Sequence, residues 1–252
     1  MEKVAELYIQ FIGEAKNMDN TIWQKVDNEG VIHTAQYKAD MAFSNTVLIK
    51  LSGSLTLVYS PGEALIESAA ELVDKDAELF ILLPSAGHIS GCISWKAHFK
   101  NSVVIAGAPT RDRLMKKTGF GEVKELSFLE SKLATNISLF ELPGCRSGEV
   151  WVSIETGNKV YWVVCDSFMN VSTFSGGRFA RLFWEKIYRI GPGLEITRGF
   201  QYGALKDRKA YKQWPVQRFS NRKENVLIPC HGEIDNSPDL GERIVQLLEK
   251  RL

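Results

Sequence analysis

Two short segments, AELFILL (77–83) and SVVIAG (102–107), are apolar almost throughout. They lack the polar–apolar alternation of a strand that keeps one face wet, so each must be covered on both faces. That requirement commits the chain to sheets enclosed by further layers. The intervening segments are patterned as helices. PGEALIESAAELVDKD (61–76) places Leu65, Ala69 and Leu72 on one face with Pro61 just ahead of its start. His88 is expected to open a second helix whose inner face carries Cys92, Trp95 and Phe99, and TRDRLMKKTG (110–119) predicts a third, closed by Gly119. Ahead of them, NTVLIKL (45–51) and LTLVYS (55–60) flank Ser52-Gly53-Ser54, the signature of a hairpin.

The second half has a different rhythm. NISLFELPG (136–144), EVWVSIET (149–156) and KVYWVVCDS (159–167) predict three successive strands, the last two joined by a tight TGNK turn. Residues 171–224 read as helical and irregular, with RFARLFWEKIYRI (178–190) the clearest amphipathic helix, ended at Gly191-Pro192-Gly193. A strand NVLIP (225–229) runs into Cys230-His231-Gly232. The closing helix, SPDLGERIVQLLEKRL, carries Leu240, Ile244, Leu247 and Leu248 as its apolar stripe, with Ser237 as cap and Pro238 in the first position. No repeat, low-complexity tract or linker interrupts the chain, so residues 1–252 are expected to form a single domain. An α/β chain folded as a four-layer αββα sandwich satisfies this order.

Bulk properties exclude some functions. A net charge of +1 gives no global field toward nucleic acid or an acidic membrane. No apolar run is long enough to span a bilayer, and the opening MEKVAELYIQFIGEAK has acids where a signal peptide is apolar, so a cytoplasmic location with reduced thiols is expected. Cys92, Cys145, Cys165 and Cys230 form no C-x-x-C pair, which argues against a zinc ribbon or a dithiol of the thioredoxin type.

Sites in α/β sheets collect where strands end. Three such ends carry ligand-type side chains: His88 after FILL, Asp166 after YWVVC and His231 after VLIPC, while Cys145 follows SLFELPG. Two imidazoles and a carboxylate at one point can hold a divalent metal and leave positions open. His33 and His98 have no such context and are read as structural.

Taken in order, three motifs carry a resemblance. ELPGCRSGEVWVSIETGNKVYWVVCDS resembles P-G-H-T-x-G-S followed by strand, turn, strand and G-D; IPCHGEI resembles a closing G-H-G; LLPSAGHISG aligns with T-H-x-H-x-D-H-x-G-G. This ordered set resembles the metallo-β-lactamase superfamily and covers the chain from about Asn45 to the C-terminus. The resemblance implies the αββα sandwich and a metal site of which only part remains. Leu83, Ser85 and Gly87 stand where the signature has its first two histidines and its aspartate, and Cys145 replaces the histidine of the P-G-H turn. His88, Asp166 and His231 retain three of the four ligands of the family's second metal position. The expectation drawn from this is a degenerate member that has lost binuclear zinc and the hydrolase chemistry dependent on it, acting as a binding or scaffold protein with no cofactor. The alternative is a mononuclear hydrolase of an ester, thioester or lactone, with one zinc, iron or manganese ion on His88, Asp166 and His231 and Cys145 as fourth ligand or orienting group.

The remaining cysteines are expected to serve packing. Neighbouring residues on a strand point to opposite faces, so Cys165 and Cys230 should point away from Asp166 and His231. The basic stretch 178–223, with Trp184, Tyr188, Tyr202, Tyr211 and Trp214 interleaved, is read as a solvated helical surface rather than a nucleic-acid site. The expected partner is a small molecule or a protein, with neither membrane nor nucleic acid involved.

Overall fold

The computed structural model describes residues 22–38, 43–74, 77–116, 120–172, 183–220 and 223–252. The opening segment MEKVAELYIQFIGEAK, Gly119 and residues 178–182 of the amphipathic stretch lie outside the described residues. Among the described residues, two sheets stack face to face. The first runs in sequence order: β1 (Gln24–Lys25), β2 (Ile32–Lys38), β3 (Phe43–Lys50), β4 (Leu55–Tyr59), β5 (Glu78–Leu83), β6 (Ser102–Ala106) and β7 (Val123–Lys124). Pairing is antiparallel through β4 and parallel from β4 to β7. The second comprises β8 (Ile137–Glu141), β9 (Val150–Thr156), β10 (Lys159–Val164) and β13 (Glu224–Pro229), in the order β13-β10-β9-β8. A small ribbon pairs β11 (Met169–Val171) with β12 (Gly193–Glu195).

The apolar runs are covered on both faces, as their composition demands. On β5, Phe80 and Leu82 enter the core between the sheets, against Val150, Val152 and Val163, while Leu79, Ile81 and Leu83 face an outer helical layer. That layer holds α1 (Ile66–Ala69), α2 (Cys92–His98) and α3 (Ala108–Leu114), packed through Ala69, Trp95 and Leu114. The shorter α4 (Leu126–Glu130) places Leu129 in the inter-sheet core. Across the molecule, α5 (Arg208–Phe219) and α6 (Leu240–Arg251) cover the other sheet through Tyr211, Phe219, Leu240, Ile244 and Leu248 against Trp151, Trp162 and Val164. The four layers expected from the sequence are therefore present.

Local winding differs from expectation in four places. Residues 63–65 form a 3₁₀ turn that runs into the four-residue α1, although Leu65 and Ala69 face inward as read. His88 does not open a helix: it sits in the turn ahead of α2, which begins at Cys92. Gly91 causes this close turn, because a Cβ there would lie 2.3 Å from the Pro61 carbonyl oxygen. Residues 183–188 wind as a π-type helix, and α6 begins at Leu240, with Ser237 bonded to Asp235 rather than capping. In the basic stretch, Tyr211 is fully buried and Trp214 packs edge-on to Trp151 and Trp162, with the Arg218 guanidinium 3.5 Å over its ring.

The Gly91 contact joins the turn that carries His88 to the loop after β4. Gly91→Ala is expected to lower the free energy of unfolding by about 1–3 kcal/mol in a denaturant titration, because the obstructing atom is backbone and cannot rotate away. A change within about 0.5 kcal/mol, the range of a neutral surface substitution, would contradict the close approach.

Candidate metal centre

The site forms where β5, β10 and β13 end. β10 and β13 are parallel and in register, Val164 opposite Pro229, so the residues that follow, Cys165-Asp166 and Cys230-His231, leave the sheet side by side. β5 belongs to the facing sheet, and its exit is tied to this one by the Val150 amide, which donates to the Pro84 carbonyl at 2.9 Å. The turn from Ser85 closes on itself through the His88 amide, which donates to the Ser85 carbonyl at 3.1 Å, and delivers the imidazole between the sheets.

Three side chains read from the sequence meet there. His88 Nε2 and His231 Nε2 each lie 3.3 Å from Asp166 Oδ1, and the two nitrogens are 3.2 Å apart. His88 is buried, and about a third of the Asp166 side chain remains exposed. The other ring nitrogens are held from behind. His231 Nδ1 is 3.0 Å from the Phe43 carbonyl oxygen, which can only accept, so Nδ1–H donates there and the neutral tautomer has its lone pair on Nε2. His88 Nδ1 lies 2.8 Å from Ser60 Oγ. Ser60 is buried with φ +57, a left-handed conformation uncommon for a residue with a side chain, and Thr46 Oγ1 donates to its carbonyl at 2.7 Å. A ligand imidazole whose far nitrogen is bonded in this way is oriented for a metal.

The replaced positions are equally informative. Leu83 is fully buried in the outer helical layer, away from the centre. Ser85 is buried and turned inward: its hydroxyl donates to Asp166 Oδ2 at 3.4 Å and accepts from the Gly87 amide at 3.3 Å. A Cβ on Gly87 would meet nothing nearer than Ser85 Oγ at 3.6 Å and Asp166 Oδ2 at 3.9 Å. Cys145 is not drawn into the cluster; its thiol pairs with Ser147 Oγ at 2.9 Å. Cys92, expected on the face of His88, is buried in the helix-facing core, where burial pushes its thiol up to about 12.

Two features of the site are not read from the sequence: one residue is unassigned there, and a cysteine pair is assigned to packing alone. The first is Glu149, fully buried, whose Oε1 accepts from Trp151 Nε1 at 2.9 Å, the Cys165 amide at 3.1 Å, the Ser167 amide at 3.3 Å and the Ser167 hydroxyl. One carboxylate oxygen thus clamps the backbone on both sides of Asp166. Burial, then the nearby charge of Asp166, pushes Glu149 up to about 7. Its signal in the sequence was an acid at the mouth of an apolar strand, GEVWV. The second is the pair Cys165 and Cys230. Both pack in the core between the sheets and come within reach of His88, their sulfurs and a ring nitrogen lying within 4.8 Å of one another, and Cys165 also lies within that distance of Asp166 and Glu149. Burial opposes a thiolate at Cys230, but the Cys165 thiol and the charge on His88 outweigh it and bring Cys230 down to about 5.

Charge is balanced inside the cluster. Burial would lower His88, but Asp166 and Cys230 hold it well above its ordinary value of 6.5; burial would raise Asp166, but His88 and His231 hold it well below 3.8. The proton on His88 Nε2 therefore sits where a metal cation would, between a carboxylate and a lone pair. In chelator-treated protein, the stability due to His88 is present below 6.5 and lost as pH rises through its raised value. That due to Asp166 is present above 3.8 and lost as pH falls through its lowered value. The melting temperature is expected to decline on the alkaline side, and His88→Gln to flatten that decline. An unchanged alkaline limb in the variant would contradict this charge assignment.

No family model matches the sequence, and no curated relative matches it. Solved structures do match the fold. The DIM-1 metallo-β-lactamase aligns with a TM-score of 0.58 at 15% identity, over 91% of this chain and 97% of its own. A diflavin flavoprotein fragment from Nostoc sp. PCC 7120 aligns at 0.59 and 10% identity, over 91% and 97%. The Flv1 flavodiiron core from Synechocystis sp. PCC6803 aligns at 0.56 and 11% identity, over 87% of this chain and 59% of its own. The fold of this chain is that of the metallo-β-lactamases and flavodiiron cores.

Proposed function

We propose that this protein binds one divalent metal ion, zinc, iron or manganese, through His88, Asp166 and His231, and acts as a mononuclear hydrolase of an ester, thioester or lactone. The observation that carries the reading is the convergence of two imidazole nitrogens and a carboxylate oxygen to 3.2–3.3 Å of one another. Donors at that spacing all reach an ion placed between them at bonds of about 2 Å. The lone pair forced onto His231 Nε2 by the Phe43 carbonyl fits the same role. When bound, such an ion supplies Lewis acidity toward a carbonyl oxygen.

The chain's own groups do the rest. Asp166 is anchored by Glu149 and faces the exposed side of the cluster, so it orients what enters. His88 Nε2 exchanges its proton with whatever displaces it, and Ser60 keeps the ring aligned as it does so. A second metal is not part of the proposal. Leu83 faces the helices and offers no donor, Ser85 and Gly87 supply no imidazole or carboxylate, and Cys145 bonds to Ser147. The two-metal clamp used in binuclear hydrolysis has no support here.

One observation favours a second reading, a metal-free binding or scaffold protein: the three groups satisfy one another when His88 is protonated. Elemental analysis of protein purified without chelator separates the two. Near-equimolar metal is expected in the wild type, with loss in His88→Ala and His231→Ala. Metal-free wild type that takes up none on dialysis against zinc, iron or manganese would establish the second reading.

The open space at Gly87 offers a gain-of-function test. Gly87→Asp adds a Cβ at ordinary contact distance from Ser85 Oγ and Asp166 Oδ2 and a carboxylate at this turn. It is expected to tighten zinc by about tenfold or more in a competition with a chromophoric chelator, roughly 1.4 kcal/mol. Unchanged or weaker binding in a variant that melts like the wild type would contradict the placement of the metal at this turn.

A further inference from the structure

We propose that Cys165 and Cys230 form, with His88, a second set of donors on the dry side of the centre, so that the ion it holds is taken by thiolate sulfur. This rests on reading His88 as a metal ligand, and it changes the kind of ion the site selects.

The argument begins with register. Val164 and Pro229 are paired on parallel neighbouring strands, and the cysteines that follow them turn to the same face, into the core between the sheets. Both are fully buried and free of any disulfide. Their sulfurs and a His88 ring nitrogen all lie within 4.8 Å of one another. Buried cysteines are ordinarily small core residues, and apolar neighbours account for one such residue well. Two sulfurs meeting under a buried imidazole are not accounted for in that way. Zinc bonded at about 2.3 Å to sulfur and about 2.0 Å to nitrogen needs its donors a little under 4 Å apart, a contraction of under an ångström or so from the observed limit. A further oxygen is at hand: Ser85 Oγ lies 3.7 Å from Cys165 Sγ.

His88 is thus shared between two faces. On the exposed side it meets Asp166 and His231, a nitrogen and oxygen set that suits iron and manganese as well as zinc. On the buried side it meets two thiols, which favour zinc and softer ions. A centre that uses the sulfurs discriminates against manganese by ligand chemistry.

Cobalt(II) reports the donor type, because thiolate bonding adds an intense near-ultraviolet charge-transfer band to the weaker visible ligand-field bands. The full-length protein, kept reduced with a phosphine, is titrated with cobalt chloride, and bound metal is counted by equilibrium dialysis. The charge-transfer band is expected in the wild type. It should fall by about half in Cys165→Ser or Cys230→Ser and vanish in the double variant. Visible bands without charge transfer in the wild type would overturn the inference and leave the mononuclear reading standing. A band that survives in the double cysteine variant would also overturn it, since the sulfur would then belong to Cys92 or Cys145. Absence of bound cobalt would remove both readings together. The wild-type spectrum decides the first question whether or not every variant folds.

Discussion

The parallel pairing of β10 with β13 is the constraint on which the centre depends. Six residues of register, from Lys159 opposite Glu224 to Val164 opposite Pro229, bring the two strands out of the sheet together. Two consequences follow. Asp166 and His231 share the face that reaches solvent, and Cys165 and Cys230 share the face that enters the core. A slip of one residue in this ladder would exchange the two sets. The opposite sheet adds one group, His88, at the boundary between them.

Burial gives this arrangement its chemical character. The imidazole of His88 is enclosed, its nitrogens held by Ser60 behind and by Asp166 and His231 in front. A carboxylate beside so enclosed an imidazole favours a positive charge between Asp166 and the two rings. A proton on His88 supplies that charge, and so would a metal. On the proposed reading the two compete for the same electrons, so metal uptake would release that proton. Glu149 keeps the backbone on both sides of Asp166 fixed through either state.

Much of this was legible in the sequence because its causes are local. The apolar runs of β5 and β6 declare strands covered on both faces, and strand ends mark where sites gather. His88, Asp166 and His231 were found by combining those rules with the order of three motifs. The failures are instructive. The pattern after His88 is helical and suggests a helix start there, whereas the helix begins at Cys92 after a turn in which Gly91 passes close to Pro61. Alternation along a strand points Cys165 and Cys230 to the core, where both pack, but says nothing of a group descending from the other sheet. Ser60 and Glu149 were missed for the same reason: their partners lie 28 residues away for Ser60 and 16–18 residues away along the chain for Glu149.

The fold is shared with metallo-β-lactamases and flavodiiron cores, but the donors are this chain's own. With Leu83 turned to the helices and Gly87 without a side chain, the mononuclear reading proposed above has one ion at this centre. X-ray absorption at the zinc edge of the zinc-loaded protein tests that claim most directly. The account predicts one zinc per chain, with nitrogen or oxygen neighbours at about 2.0–2.1 Å, sulfur at about 2.3 Å and no metal scatterer beyond them. A second zinc at about 3.5–4 Å, the separation of a two-metal site, would contradict it.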